Sequence, residues 1–207
     1  AIVLLWFLLT GRRTAAVWTV IGAAALALLT LPLTGLQPWL DFPTVLANMS
    51  APVDPSASFA PTTWLAPALG FTLARVVVTG AGVGIVAWSA RRQPAARSYA
   101  VAVLVSVLIT PALWSHYLSM ILLPLGMALG GGVSALAIGL VYVLLSSQQQ
   151  DALGDLAWIT ARLAPTIGEL LLLWLLLRGR AAEPALAAVE PAPAAVATPA
   201  PPAPRPA

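Results

Sequence analysis

A chain of 207 residues with 60% hydrophobic and only 8% charged residues, and a mean hydropathy of +0.92, is not a water-soluble domain; in those about a quarter of residues carry charge. The net charge of +3 comes from arginine without any lysine, and the arginines are scattered over turns between apolar runs, which excludes a nucleic-acid partner. The lack of cysteine excludes disulfides, thiolate metal sites and cysteine nucleophiles.

Residues 1–10 read as the end of a spanning helix stopped by Arg12 and Arg13. The basic residues follow the apolar run, the reverse of a signal peptide, so the chain reads as the C-terminal part of a longer protein. Residues 14–33 give a full span of about 20 residues, closed by Pro32 and Gly35. Residues 34–66 hold Pro38, Pro43, Pro52, Pro55 and Pro61 with no basic residue, which rules out one continuous helix. A partly structured outer loop is expected there, laid on the membrane by Trp39, Phe42, Phe59 and Trp64.

A second span, residues 67–90, carries Arg75 and runs into the basic turn of Arg91, Arg92 and Arg97. Apolar segments follow at 98–113, 118–129 and 133–145, the last two separated by Gly130, Gly131 and Gly132. After a polar turn, residues 156–177 form the last span, ending at Arg178 and Arg180. The tail, 181–207, is alanine and proline without apolar periodicity and is expected to be disordered.

Counting arginines decides whether residues 118–145 cross once or twice. With two crossings, Arg12, Arg13, Arg91, Arg92, Arg97, Arg178 and Arg180 all fall on one side, and the opposite loops contain none. Arginine-bearing short loops belong in the cytoplasm. The expected fold is therefore an all-α polytopic transmembrane bundle over residues 1–180, with about seven crossings, the first truncated. The expected location is the plasma membrane, with loop 34–66 and His116 on the extracytoplasmic face.

Five features could carry chemistry. His116, the sole histidine, stands between Trp114 and Tyr117 where one apolar segment gives way to the next. Its imidazole can exchange a proton or hold a phosphate oxygen, and its aromatic neighbours either stack on a ligand or serve as an interfacial belt. Arg75, about eight residues into its span, either snorkels or presents a fork suited to bidentate phosphate capture. Arg162 and Glu169 share one face of the last span two turns apart, which favours structural pairing with partners elsewhere in the bundle. Asp41 and Asp54 are acids of the outer loop, and Asn48-Met49-Ser50 matches a glycosylation acceptor pattern of low specificity. A lone histidine without cysteine is a poor metal site, and no cofactor is expected.

The stretch Thr110-Pro111-Ala112-Leu113-Trp114-Ser115-His116-Tyr117, followed by a leucine-rich segment with Pro124, resembles the Ser-Pro-x-Ser-Trp-x-His-His/Tyr signature of glycosyltransferase family 87. These are GT-C-type membrane enzymes. Upstream, Ala47-Asn48-Met49-Ser50 before the helix of Arg75 is similar to that family's Gly-Asn-Gln-Ser element and later arginine. Thr110, Leu113 and Met49 depart from the pattern.

The resemblance implies transfer of a hexose, mannose among the options, from a polyprenyl-phosphate donor to a glycolipid or glycan acceptor at the outer face. The reaction would invert the anomeric carbon, with an aspartate base in an outer loop that precedes Ala1. His116, the catalytic candidate, and Arg75 would handle the donor phosphate; Asn48, Trp114 and Tyr117 would line the sugar or acceptor site. The competing readings are a transporter or lipid flippase, with Arg75, Arg162 and Glu169 along its path, and a non-catalytic scaffold.

Overall fold

The computed structural model describes residues 1–49, 58, 60–110, 115–146 and 155–178, and among them all regular secondary structure is helical. In chain order come α1 (Ile2–Leu9), α2 (Arg13–Thr34), α3 (Gln37–Met49), α4 (Pro61–Leu69), α5 (Phe71–Arg92) and α6 (Ala95–Leu108). A 3-10 helix (Ser115–Ile121) leads into α7 (Leu122–Gly130), followed by α8 (Ala135–Ser146) and α9 (Asp155–Arg178). The tail, 181–207, and the polar turn before α9 lie outside the described residues.

The bundle is built around α6. This helix is apolar on every side, so it is stable only where every side is covered. Ala100 through Val105, with Val107 and Leu108, are buried, and α1, α5, α7, α9 and the 3-10 helix all pack on it. Trp6 anchors α1 there: the ring is 1% exposed and its indole N–H donates to the Ser98 hydroxyl at 3.0 Å. Gly82 lets α5 approach α6 closely, since a Cβ at that position would stand 2.8 Å from Ile109 and 2.9 Å from Val105.

The second helix is apolar all round too, yet α2 is covered by almost nothing. Ala16 is its only buried residue, while Trp18 is 66%, Leu29 70% and Leu33 88% exposed. Such a surface is stable in hydrocarbon, not water. The hydroxyls agree, because helices in lipid must satisfy their polar groups internally. Thr19 donates to the Ala15 carbonyl, Thr30 to Ala27, Thr34 to Thr30, Ser89 to Val86 and Ser106 to Val103, each within its own helix.

Two helices, α2 and α5, are long and apolar enough to cross a membrane. The others fall short of the seven spans read from the sequence: α6 has 14 residues, about 21 Å at 1.5 Å per residue. The 3-10 helix partly compensates in the next segment. Its seven residues and the nine of α7 together cover about 28 Å, because a 3-10 turn rises about 2 Å per residue.

Three boundaries differ from the sequence reading. The proline-rich region 34–66 is not chiefly loop: its described part contains α3 and α4, which carry Pro43 and Pro67 inside and Pro61 in the first turn, where no N–H is required. The expected span at 67–90 is broken at Gly70, whose φ of 76° and ψ of 152° only glycine adopts readily, and α5 restarts at Phe71. Arg75 is thus the fifth residue of its helix rather than one eight residues deep.

Candidate functional site

Long-range hydrogen bonds sort the bundle into two ends. The Arg97 guanidinium donates to the Gly131 carbonyl at 3.2 Å, tying the start of α6 to the α7–α8 turn. The Gln93 amide donates to the Leu176 and Leu177 carbonyls at 3.1 Å each, tying the α5–α6 turn to the end of α9. The Arg12 guanidinium lies 5.1 Å from the Trp6 ring centroid, and Trp6 reaches Ser98, so the α1–α2 turn joins the same end. Arg12, Arg13, Arg91, Arg92, Arg97 and Arg178 therefore gather at one end, hereafter the basic end. The chain does reverse at the glycines, where Gly132 takes φ of 84°.

The opposite end carries the 3-10 helix, α4 and the first turns of α5. His116 is the second residue of the 3-10 helix; its side chain, and Trp114 altogether, lie outside the described residues. Tyr117 is half-buried and packs against the core. Thr110, which stands where the resembling family has serine, turns its hydroxyl back to the Ser106 carbonyl at 3.1 Å and closes α6. A seven-residue 3-10 run is unusually long, and such stretches mark strained or hinge-like segments.

Arg75 is half-buried near the start of α5, and its side chain makes no hydrogen bond or ion pair with any described residue. Asn48 is exposed in the last turn of α3, a helix whose described side chains are all exposed. Asp41 is exposed on the same helix and accepts from Gln37 at 3.0 Å, an i to i+4 pair. Asp54 lies outside the described residues. Arg75 and the 3-10 helix thus share an end of the bundle, whereas Asn48 is not brought against either.

The expected pairing of Glu169 fails. Glu169 is fully buried in α9, and neither carboxyl oxygen has a hydrogen-bond partner among the described residues. The Arg162 side chain lies outside them. One turn before Glu169, Thr166 accepts from the Trp64 indole at 3.2 Å, which docks α4 on α9. The neighbouring Gly168 keeps α8 close, with Leu144 only 3.1 Å from where its Cβ would stand. Burying an unpaired carboxyl costs several kcal/mol, and an acid so placed within a spanning segment marks function by default. Its signal was in the sequence as an acid inside an apolar run; a partner was assumed because the cost of lacking one is high.

Among the described residues no cluster of three His, Asp or Glu side chains could hold a metal ion. No family model, curated protein or solved structure gives a significant match to this chain.

Proposed function

We propose that this chain is the C-terminal membrane portion of a GT-C-type glycosyltransferase that moves a hexose from a polyprenyl phosphate to a glycolipid or glycan acceptor on the extracytoplasmic face. In this reading it crosses the membrane about seven times. The observation that carries the proposal is the separation of the two ends. Every described turn bearing arginine lies at the basic end, which positive-inside sorting puts in the cytoplasm. The 3-10 helix of His116 and the start of α5 with Arg75 lie opposite, where a lipid-borne sugar would be used.

The chemistry asked of these two residues is simple. As the bond from anomeric carbon to phosphate oxygen breaks, negative charge grows on the departing phosphate. Donors already in place stabilise that charge more than they stabilise the bound donor lipid. The Arg75 fork can take two phosphate oxygens at once, and the His116 imidazole can donate to a third. Trp114 and Tyr117 supply aromatic surface for the sugar.

The test uses the full-length protein with a panel of polyprenyl-phosphate sugars, reading product lipid by mass spectrometry. Arg75→Ala and His116→Ala are each expected to lower transfer by at least about 100-fold, the usual loss for a donor to developing charge. Full transfer by both variants would remove the assignment. A second reading, a transporter or flippase, is favoured by the unpartnered Glu169 inside the bundle. It predicts flux in sealed vesicles that Glu169→Gln abolishes, and no sugar transfer.

A further inference from the structure

At the basic end, a cleft of about 440 Å³ opens between the last turn of α1 and the first turn of α6, lined by Trp6, Phe7, Arg12, Ala95, Ala96 and Tyr99. Three aromatic rings form one wall, with Trp6 and Tyr99 centroids 5.0 Å apart and Trp6 and Phe7 centroids 5.3 Å apart. The Trp6 indole N–H is already committed to Ser98, so the ring cannot swing away. Arg12 stacks on this fixed ring and holds its guanidinium at the cleft. The bottom is apolar, and the exposed Leu8 and Leu9 continue the apolar surface along α1.

Charge selects the occupant. Six arginines gather at this end, and no described acid stands there: Asp41 is on α3, Glu169 is within the bundle, and Asp155 starts α9 at the other end. An occupant must therefore be anionic at the Arg12 side and apolar behind it. Basic clefts between helices on the cytoplasmic side have that complementarity to anionic lipid headgroups.

We infer that the cleft between α1 and α6 binds the headgroup of an anionic phospholipid of the cytoplasmic leaflet, with Arg12 on the phosphate and the acyl chains along Leu8 and Leu9. The inference rests on the membrane orientation above but not on sugar transfer, so either can fail without the other.

The test is lipid retention by the full-length protein in detergent, read by native mass spectrometry with dioleoylphosphatidylglycerol against dioleoylphosphatidylcholine. Phosphatidylglycerol should bind at least about fivefold more tightly, the worth of one arginine near an anionic surface. Arg12→Gln should erase that preference. Arg13→Gln removes the same charge beside the cleft but not from it, and should keep the preference. Ala96→Leu fills the cleft without changing charge and should weaken phosphatidylglycerol binding by a similar factor. Equal binding of the two lipids, equal losses from Arg12→Gln and Arg13→Gln, or no effect of Ala96→Leu would overturn the site. Displacement of the lipid by 10-fold excess inorganic phosphate would show a free-anion site and overturn the lipid assignment.

Discussion

Arg97 and Gly131, 34 positions apart in sequence, meet in a hydrogen bond of 3.2 Å from guanidinium to carbonyl. That contact makes the three glycines a turn of the chain rather than the middle of one long helix. It also fixes which segments share a side of the membrane.

The sidedness can be checked directly, because the chain has no native cysteine. Ser115→Cys, at the start of the 3-10 helix, should react with an impermeant maleimide on intact cells. Ser134→Cys, exposed beside the glycine turn, should react only after permeabilisation. Labelling of both from the same side would break the orientation.

The close approach of α5 to α6 makes Gly82 sensitive to size. Gly82→Val is expected to lower thermal stability in detergent by about 1–3 kcal/mol, the usual cost of overpacking, because both contacting atoms sit on a buried partner helix. Gly84→Ala, which meets nothing within 4 Å, should be neutral or stabilise by about 0.5–1 kcal/mol through helix propensity. Equal effects of the two would show that α5 and α6 are not in contact there.

Ser98→Ala removes the only acceptor named for the buried Trp6 indole. The orphaned N–H should cost about 1–3 kcal/mol, read as a lowered melting temperature and a red-shifted or broadened tryptophan signal. Ser98→Thr keeps the hydroxyl and should recover most of the loss. A Ser98→Ala protein as stable as the parent would mean that Trp6 is solvated.

Glu169→Met replaces an unpartnered carboxyl with an apolar side chain of similar length. It should raise stability by about 1–3 kcal/mol, since removing an unsatisfied buried group relieves its desolvation cost. It should also impair function, whether sugar transfer or flux. A destabilised Glu169→Met would show that the acid has a structural partner; a stabilised and fully active one would show that it has no role.

The membrane character, the helical class and the ends of α2, α8 and α9 could be read from the sequence because apolar runs and their arginine or proline stops report single-helix properties. The pairing of ends was legible too, since arginine sidedness requires the reversal at residues 130–132 that Arg97 and Gly131 make visible. What escaped depends on contacts or on backbone geometry. Prolines at 43 and 67 were read as breakers, whereas short helices tolerate them by giving up one hydrogen bond each. The 3-10 form of residues 115–121 has no compositional mark, because leucine, methionine and isoleucine serve either helix type. Glu169 was assigned a partner on energetic grounds, and its solitude shows only once the surroundings are in place.

The bare surface of α2 has a practical corollary. This helix is roughly 33 Å long and is fastened to its neighbours mainly near Ala16, so most of its circumference needs an external coat. Detergent stripping should therefore precipitate the protein before the bundle around α6 loosens. Amphipols or nanodiscs, which keep a continuous belt, are the media in which the rest of the molecule can be studied.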